Sequence, residues 1–320
     1  MHHKSFFAII IVSVTIAIFA PMFLGRGDVR LLTEIFLVLT LAQLWNLLAG
    51  YGGLVSVGQH AFVGAGAYAF FVLCAQFGVH VAPALLFAGF VSGCLAIGIY
   101  ALVSRLVGPY FSIGTWVVAE IVFLAVLQTN YVGGASGFSL PLSSIREFGA
   151  AATTREYVIY ATAGIMCFGV LSGNFLFLRS RFGLALTAIR DDVAAAHSVG
   201  INSDRIKFIL FTSVAVLTGL VGSIIFVQNL RVSPSAAFSM QEWTATIILI
   251  VVIGGIGRFE GPLVGAMFYF ALRELLAPFG SVYIIVTGIV AILIIIVFPD
   301  GLSGNIAAIS RRWLRAVRPL

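Results

Sequence analysis

Charge is what this sequence has least of. Only 9% of its 320 residues are Asp, Glu, Lys or Arg, whereas 61% are hydrophobic and the mean hydropathy is +1.11. Soluble domains carry about a quarter charged residues, so a water-soluble globular domain is excluded and a polytopic membrane protein remains. Cysteine is scarce as well. Cys74, Cys94 and Cys167 lie in apolar segments with no CxxC spacing, which excludes a disulfide framework and a cysteine-held metal. Histidine is equally thin: His2 and His3 are terminal, and His60, His80 and His197 are scattered. With no H-E-x-x-H and no G-x-x-x-x-G-K-[ST], the chain is not expected to hydrolyse nucleotide or to bind a metal or cofactor itself. The net charge of +6 comes from residues at loop ends, not from one basic stripe, which argues against nucleic acid.

What the sequence has is long apolar runs. A bilayer core of roughly 30 Å needs about 20 helical residues. Runs of that order follow the first one, which ends near Leu24, at 31–49, 59–77, 81–106, 112–130, 156–178, 206–229, 241–257, 261–277 and 281–298. The expectation is an all-α, polytopic transmembrane helical bundle, one domain over 1–320, with about ten membrane segments. The first run is read as a spanning helix, since Pro21 spoils the only cleavage-like context for a signal peptide.

One basic stretch orients the rest. Residues 180–207, SRFGLALTAIRDDVAAAHSVGINSDRIK, interrupt the apolar pattern and hold Arg181, Arg190, Arg205 and Lys207, with Arg179 just before. Lys and Arg collect on the cytoplasmic side. An inside N-terminus puts there Lys4, Arg105, Arg258, these five and the four tail arginines, 12 of 18 basic residues, with both termini cytoplasmic. The tail, SRRWLRAVRPL, then anchors at the anionic leaflet. Within the stretch, Asp191 is expected to cap a helix over 193–199, Gly200 to end it, and Asn202 or Ser203 to cap the next helix. Ile189, Val193, Ala196 or His197, and Gly200 recur every three or four residues, a narrow face suited to a partner's groove. The external loop is 131–156, with a short surface helix expected over 143–155.

Two stretches, 49–66, which contains GYGGLVSVGQHAFVGAG, and GGIGRFEGPLVGA (254–266), are rich in glycine, so some segments are expected to be broken or re-entrant. Charges at membrane depth are Glu34, Glu120, Glu242 and the Arg273/Glu274 pair; the interfacial reading fits all but Glu120, which sits deeper. Asn46, Gly52, Ser56, Gln59, Tyr110, Thr115 and Glu120 are the candidates for a path taken by a polar solute, with helix–helix hydrogen bonding the alternative for the small polar ones. An ion-coupled carrier would need intramembrane carboxylates, of which Glu120 alone qualifies.

As a set, WNLLAGYGGLVSVGQHAFVGAGAYA (45–69), GPYFSIGTWVVAE (108–120), GGASGFSLP (133–141), SRFGLALTAIRDDVAAAHSVGIN (180–202), GGIGRFEGPLVGA and IIIVFPDGLSG (294–304) resemble the permease subunits of branched-chain amino acid ABC importers, in the type with the longer N-terminus. The resemblance covers most of the chain. It implies a bacterial inner-membrane protein that works with a second permease, two cytoplasmic ATPases and a periplasmic solute-binding protein, ATP being used by those partners. It also implies that Ala188, Ile189, Arg190, Asp191, Asp192, Ala194, Ala195 and Gly200 form the segment that contacts the ATPase. Leu184 stands where the family often has arginine, and GGAS replaces the commoner TGG-x-x-G. These departures leave the solute open, urea and short amides included.

Overall fold

Lipid offers the backbone no hydrogen-bond partner, so apolar runs of this length form helices. The computed structural model describes residues 3–149, 151–279, 282–298 and 300–305. The arginine-rich tail, with its expected membrane anchor, lies outside them.

The helices are α1 (His3–Phe23), α2 (Arg26–Asn46), α3 (Gln59–Gln76), α4 (Val81–Val103), α5 (Pro109–Gln128), α6 (Leu142–Glu147) and α7 (Ala152–Arg179). They continue as α8 (Arg181–Asp191), α9 (Val193–Ser198), α10 (Ser203–Asn229), α11 (Pro234–Ala237), α12 (Thr246–Gly254), α13 (Gly261–Leu276) and α14 (Val282–Val297). Among the described residues, eight helical stretches are long and apolar enough to cross a membrane. The other two of the ten expected segments are α1, whose apolar part Ile10–Phe23 is shorter, and α3, with 18 residues. Among the described residues the bundle is all-α apart from one two-residue pairing, β1 (Phe138–Ser139) with β2 (Arg231–Val232), antiparallel with Phe138 opposite Val232.

The long helices alternate in direction. α2 ends, α10 begins, and the α12–α13 turn lies at the end of the bundle that carries α8 and α9, here called the basic end. At the opposite end the 131–156 loop is folded, not slack. Gly137, with φ of +70°, lies so close to the Val232 carbonyl that no side chain fits there. The surface helix is α6, shorter than the expected 143–155. It is docked at the start of α4, where the Glu147 carboxylate accepts the Val81 amide at 2.9 Å, and α7 already begins at Ala152.

Helix contact without a hydrophobic driving force needs small residues. α3 sits between α10 and α4 on that basis. A methyl group on Gly66 would run into the backbone of Gly219, one on Gly222 into Val63, and one on Gly219 into Ser92. Ser223 Oγ donates to the Gly66 carbonyl at 3.0 Å, and Ser92 Oγ to the Phe62 carbonyl at 3.2 Å, tying the crossing further. Around it Trp45, Phe62, Phe70, Phe71 and Phe211 are fully buried.

The expected interfacial charges turn out to be partners. Arg273 on α13 donates from Nη1 and Nη2 to both carboxylate oxygens of Glu34 on α2, at 2.6 and 2.9 Å, so the pair locks two helices near the end away from α8. Glu274 lies 3.7 Å from the same guanidinium. Glu242 is exposed in the first turn of a π-helical segment, Met240–Ala245, and its backbone amide donates to Ser239 Oγ at 3.2 Å.

Candidate functional site: the basic segment and the glycine-rich turns

The basic stretch folds as two helices, one more than its sequence suggests. Ser180 breaks α7 and caps α8, accepting from the Gly183 amide at 3.4 Å. The cap of α9 is Asp192, not Asp191: its Oδ1 accepts from the amides of Ala194 and Ala195 at 2.8 and 3.0 Å. Asp191 is instead the last residue of α8 and holds the Arg190 guanidinium at 3.0 Å. Gly200 takes φ of +83° where α9 ends, as its position predicts, and Asn202 caps α10 by accepting from the Arg205 amide at 3.0 Å.

The outward face also differs from the periodic one. Ile189 and Ala196 are 1% and 2% exposed and turn inward, because Leu186 and Ile189 are the apolar side of α8 and pack on the bundle. What remains outside is Phe182, Leu184, Val193, Ala194, Ala195 and Val199, a small and apolar surface flanked by Asp191 and Asp192.

Behind that surface the two glycine-rich stretches meet. α2 winds into a π-helical turn at Leu47–Tyr51 and then opens into an extended segment. This segment folds back beside α2, where the Ser56 carbonyl accepts from Trp45 Nε1 at 2.8 Å, before α3 begins at Gln59. Exposed backbone at such depth needs a cavity or protein around it. Gly53, Leu54 and Val55 line a groove of about 840 Å³ with residues of the α4–α5 turn and α10. Gly50, in the π-helical turn, touches the α12–α13 turn: a methyl group there would lie 2.5 Å from both the Gly257 nitrogen and Asn46 Oδ1. Gly257 has φ of +72°, a conformation that favours glycine.

Three polar side chains fasten this junction. Asn46 accepts the Gly257 amide at 2.8 Å and donates to the Arg258 carbonyl at 2.8 Å, so its amide group closes the turn from both sides. Gln43, one turn earlier on α2, donates to the Phe259 carbonyl at 3.0 Å. Arg190 reaches in from α8 and donates from Nη1 to the Gly50 carbonyl at 2.9 Å. The outward helices, the end of α2 and the α12–α13 turn are thereby one hydrogen-bonded unit.

Comparison with known proteins decides the family. The model of the branched-chain amino acid transport system permease component matches residues 27–299. This chain belongs to that family. The high-affinity branched-chain amino acid transport system permease protein LivM of Salmonella typhimurium strain LT2 is 31% identical over 311 residues, covering 90% of this chain and 72% of that one. LivM of Escherichia coli K12 is 29% identical over the same length and shares. The permease protein LivH of Salmonella typhimurium strain LT2 is 26% identical over 198 residues, 57% of this chain and 61% of that one. No solved structure matches the permease.

The residues expected on a solute path divide into two places. Asn46 and Gly52 lie at the basic-end junction, Asn46 as its clamp and Gly52 packed on Leu48 and Leu210. Ser56, Gln59, Thr115 and Glu120 gather where α3 starts against α5. There Thr115 Oγ1 accepts the Val57 amide at 3.0 Å, and Ser56 Oγ accepts the Gly58 amide at 3.3 Å. Glu120 stands just over a turn beyond Thr115, with 40% of its side chain exposed, and accepts from Trp116 Nε1 at 3.3 Å. Tyr110 is exposed at the start of α5 and joins neither group.

Sequence reasoning passed over His60 and Thr244. His60 is fully buried; its Nδ1 lies 2.9 Å from Thr244 Oγ1 and its Nε2 lies 4.0 Å from Glu120 Oε1. The signal available was the position of His60 next to Gln59 at a helix start, but its partner lies 184 residues away.

Proposed function

We propose that the permease is one of two membrane-spanning subunits of an ATP-driven, binding-protein-dependent importer of branched-chain or related amino acids. Two cytoplasmic ATPases, a homologous second permease and a periplasmic solute-binding protein complete it. The chain binds no cofactor of its own, and ATP is consumed by the partners. It sits in a bacterial inner membrane with both termini cytoplasmic. The observation that carries this reading is the Arg190 junction: a small apolar helix surface facing outward is hydrogen-bonded through one guanidinium to a break in a membrane helix. A secondary carrier has no use for such a lever. Movement of α8 and α9 by an ATPase pulls on the π-helical turn, and the extended 52–58 segment passes it to the start of α3, giving alternating access.

The second permease belongs on α5. This helix is the least covered of the spans, yet it carries Glu120, and a carboxylate facing lipid is costly. A path between two permeases hydrates it. Reconstitution tests the whole reading: labelled leucine accumulates in vesicles only with ATP, both permeases, the ATPases and the binding protein. Accumulation driven by a proton or sodium gradient without ATP overturns it.

The basic split predicts the orientation. Cysteines at Ser198 and Ser143, both exposed, report it in a Cys94→Ala background, whereas the neighbouring Ser203 and Ser144 are buried. An impermeant maleimide labels Ser143→Cys in intact cells and Ser198→Cys only after permeabilisation. The reverse pattern inverts the topology.

Choice among amino acid side chains is expected to lie outside this chain, since a pore that binds tightly retains what it should release. Gln59→Ala and Glu120→Gln therefore lower the rate of leucine uptake but leave the ranking of alanine and glutamate as competitors unchanged. A reordered ranking in either variant places solute choice in the permease.

A further inference from the structure

We infer that His60 and Glu120 form a recognition pair for a solute carrying both a carboxylate and an ammonium group, with His60 taking the carboxylate and Glu120 the ammonium. The inference rests on the reading of the α5 face as the solute path.

His60 is the second residue of α3, an 18-residue helix whose start is the positive end of its dipole. Thr244 Oγ1 accepts the His60 backbone amide at 3.1 Å and lies 2.9 Å from Nδ1. Among the described residues the hydroxyl has no acceptor other than Nδ1, so its proton goes to Nδ1 and the imidazole proton is left on Nε2. Among the described residues Nε2 has no hydrogen-bond partner, although His60 is fully buried, and the neighbouring Gln59 Nε2, on a side chain 3% exposed, has none either. Buried donors without acceptors are rare and costly. Both of these stand at one helix start, and His60 Nε2 faces Glu120 of α5.

Glu120 Oε1 lies 4.0 Å from His60 Nε2, too far for a hydrogen bond and near enough to fill the space in front of it. Trp116 Nε1 holds the same oxygen at 3.3 Å. The carboxylate is thus a stand-in that an incoming one displaces: the solute's carboxylate meets Nε2–H at the helix start, and Glu120 turns to the ammonium. The nearby negative charge of Glu120 offsets part of the buried donor's loss in the empty state, and a solute carboxylate within hydrogen-bond reach makes the filled state better bonded. A neutral solute such as urea offers neither charge and displaces nothing.

The test reads the imidazole directly. The purified transporter containing this chain, labelled with ¹⁵N-histidine and held in nanodiscs, shows the His60 signals as those lost in His60→Gln. Leucine is expected to shift the His60 Nε2 signal, while leucinamide, which has the ammonium but no carboxylate, leaves it in place. Glu120→Gln weakens the response to leucine about tenfold, as loss of a charged hydrogen-bond partner does, and leaves the response to 4-methylpentanoate unchanged. Equal shifts with leucine and leucinamide, or none with leucine, overturn the pair, whatever the vesicle experiment says of ATP-driven uptake. In uptake, His60→Gln keeps a side-chain N–H donor and most of the rate, while His60→Leu loses it with ATP hydrolysis intact. Equal loss in both variants assigns His60 to packing alone and overturns the proposal.

Discussion

Arg190→Ala is expected to separate ATP hydrolysis from uptake. The guanidinium spans two partners, donating to the Gly50 carbonyl at 2.9 Å and to Asp191 Oδ1 at 3.1 and 3.0 Å, and alanine removes all three bonds while leaving α8 helical. The bond from the charged guanidinium to the Gly50 carbonyl contributes about 1.5–3 kcal/mol, and the exposed Asp191 pair adds little, so the link between α8 and the π-helical turn is lost far more completely than the fold. Leucine taken up per ATP hydrolysed in reconstituted vesicles should fall by about tenfold or more, with hydrolysis near the wild-type rate. Arg190→Lys should rescue little, because an ammonium lacks the planar fork that reaches a carbonyl and a carboxylate together. Ala195→Arg attacks the same route from outside. Ala195 is exposed on α9, so a long cationic side chain fills the surface that a partner needs and should uncouple without unfolding. Full uptake per ATP in either Arg190→Ala or Ala195→Arg would show that force does not travel through α8 and α9.

Gly66→Val should be the most destabilising change in the membrane core. The β-carbon alone would overlap the Gly219 backbone, and neither helix can retreat, since α10 is also held to α4 through Gly219 against Ser92. Overpacking ordinarily costs 1–3 kcal/mol, and backbone overlap places this site at or above about 3 kcal/mol. The variant should reach the membrane in much reduced amount, and what is purified should unfold at a clearly lower temperature. Gly98→Ala on α4 is the control. Nothing lies within 4 Å of its β-carbon position, so it should be neutral or slightly stabilising, by about 0.5–1 kcal/mol from helix propensity. Equal stability of the Gly66 and Gly98 variants would mean that α3 and α10 do not cross at this contact.

Helix number and the place of the basic stretch were legible in the sequence, because both follow from local composition. A run of apolar residues must be helical in lipid wherever it lies, and arginines mark a membrane edge without knowledge of any neighbour. The turn chemistry was partly legible for the same reason. Gly200 and Asn202 do what their types predict, whereas Asp191 and Asp192 are adjacent and equally able to cap, and only the path of α8 selects the second.

Tertiary structure decided everything that depends on residues far apart in the chain. The two glycine-rich stretches look alike in sequence, but nothing local says that Gly50 and Gly257 touch or that Asn46 closes the distant turn. Glu34 and Arg273, each an ordinary interfacial charge when taken alone, are a bidentate pair across 239 positions. Ile189 shares the period of the outward face and yet packs inward, since the axis of α8 is set by how α7 breaks at Ser180. His60 carries no signal by itself, and its meaning comes from Thr244 and Glu120 on two other segments. Composition acts residue by residue along the chain and so fixes which segments enter the membrane; recognition and coupling act between segments, and the partners that create them are chosen only when the helices pack.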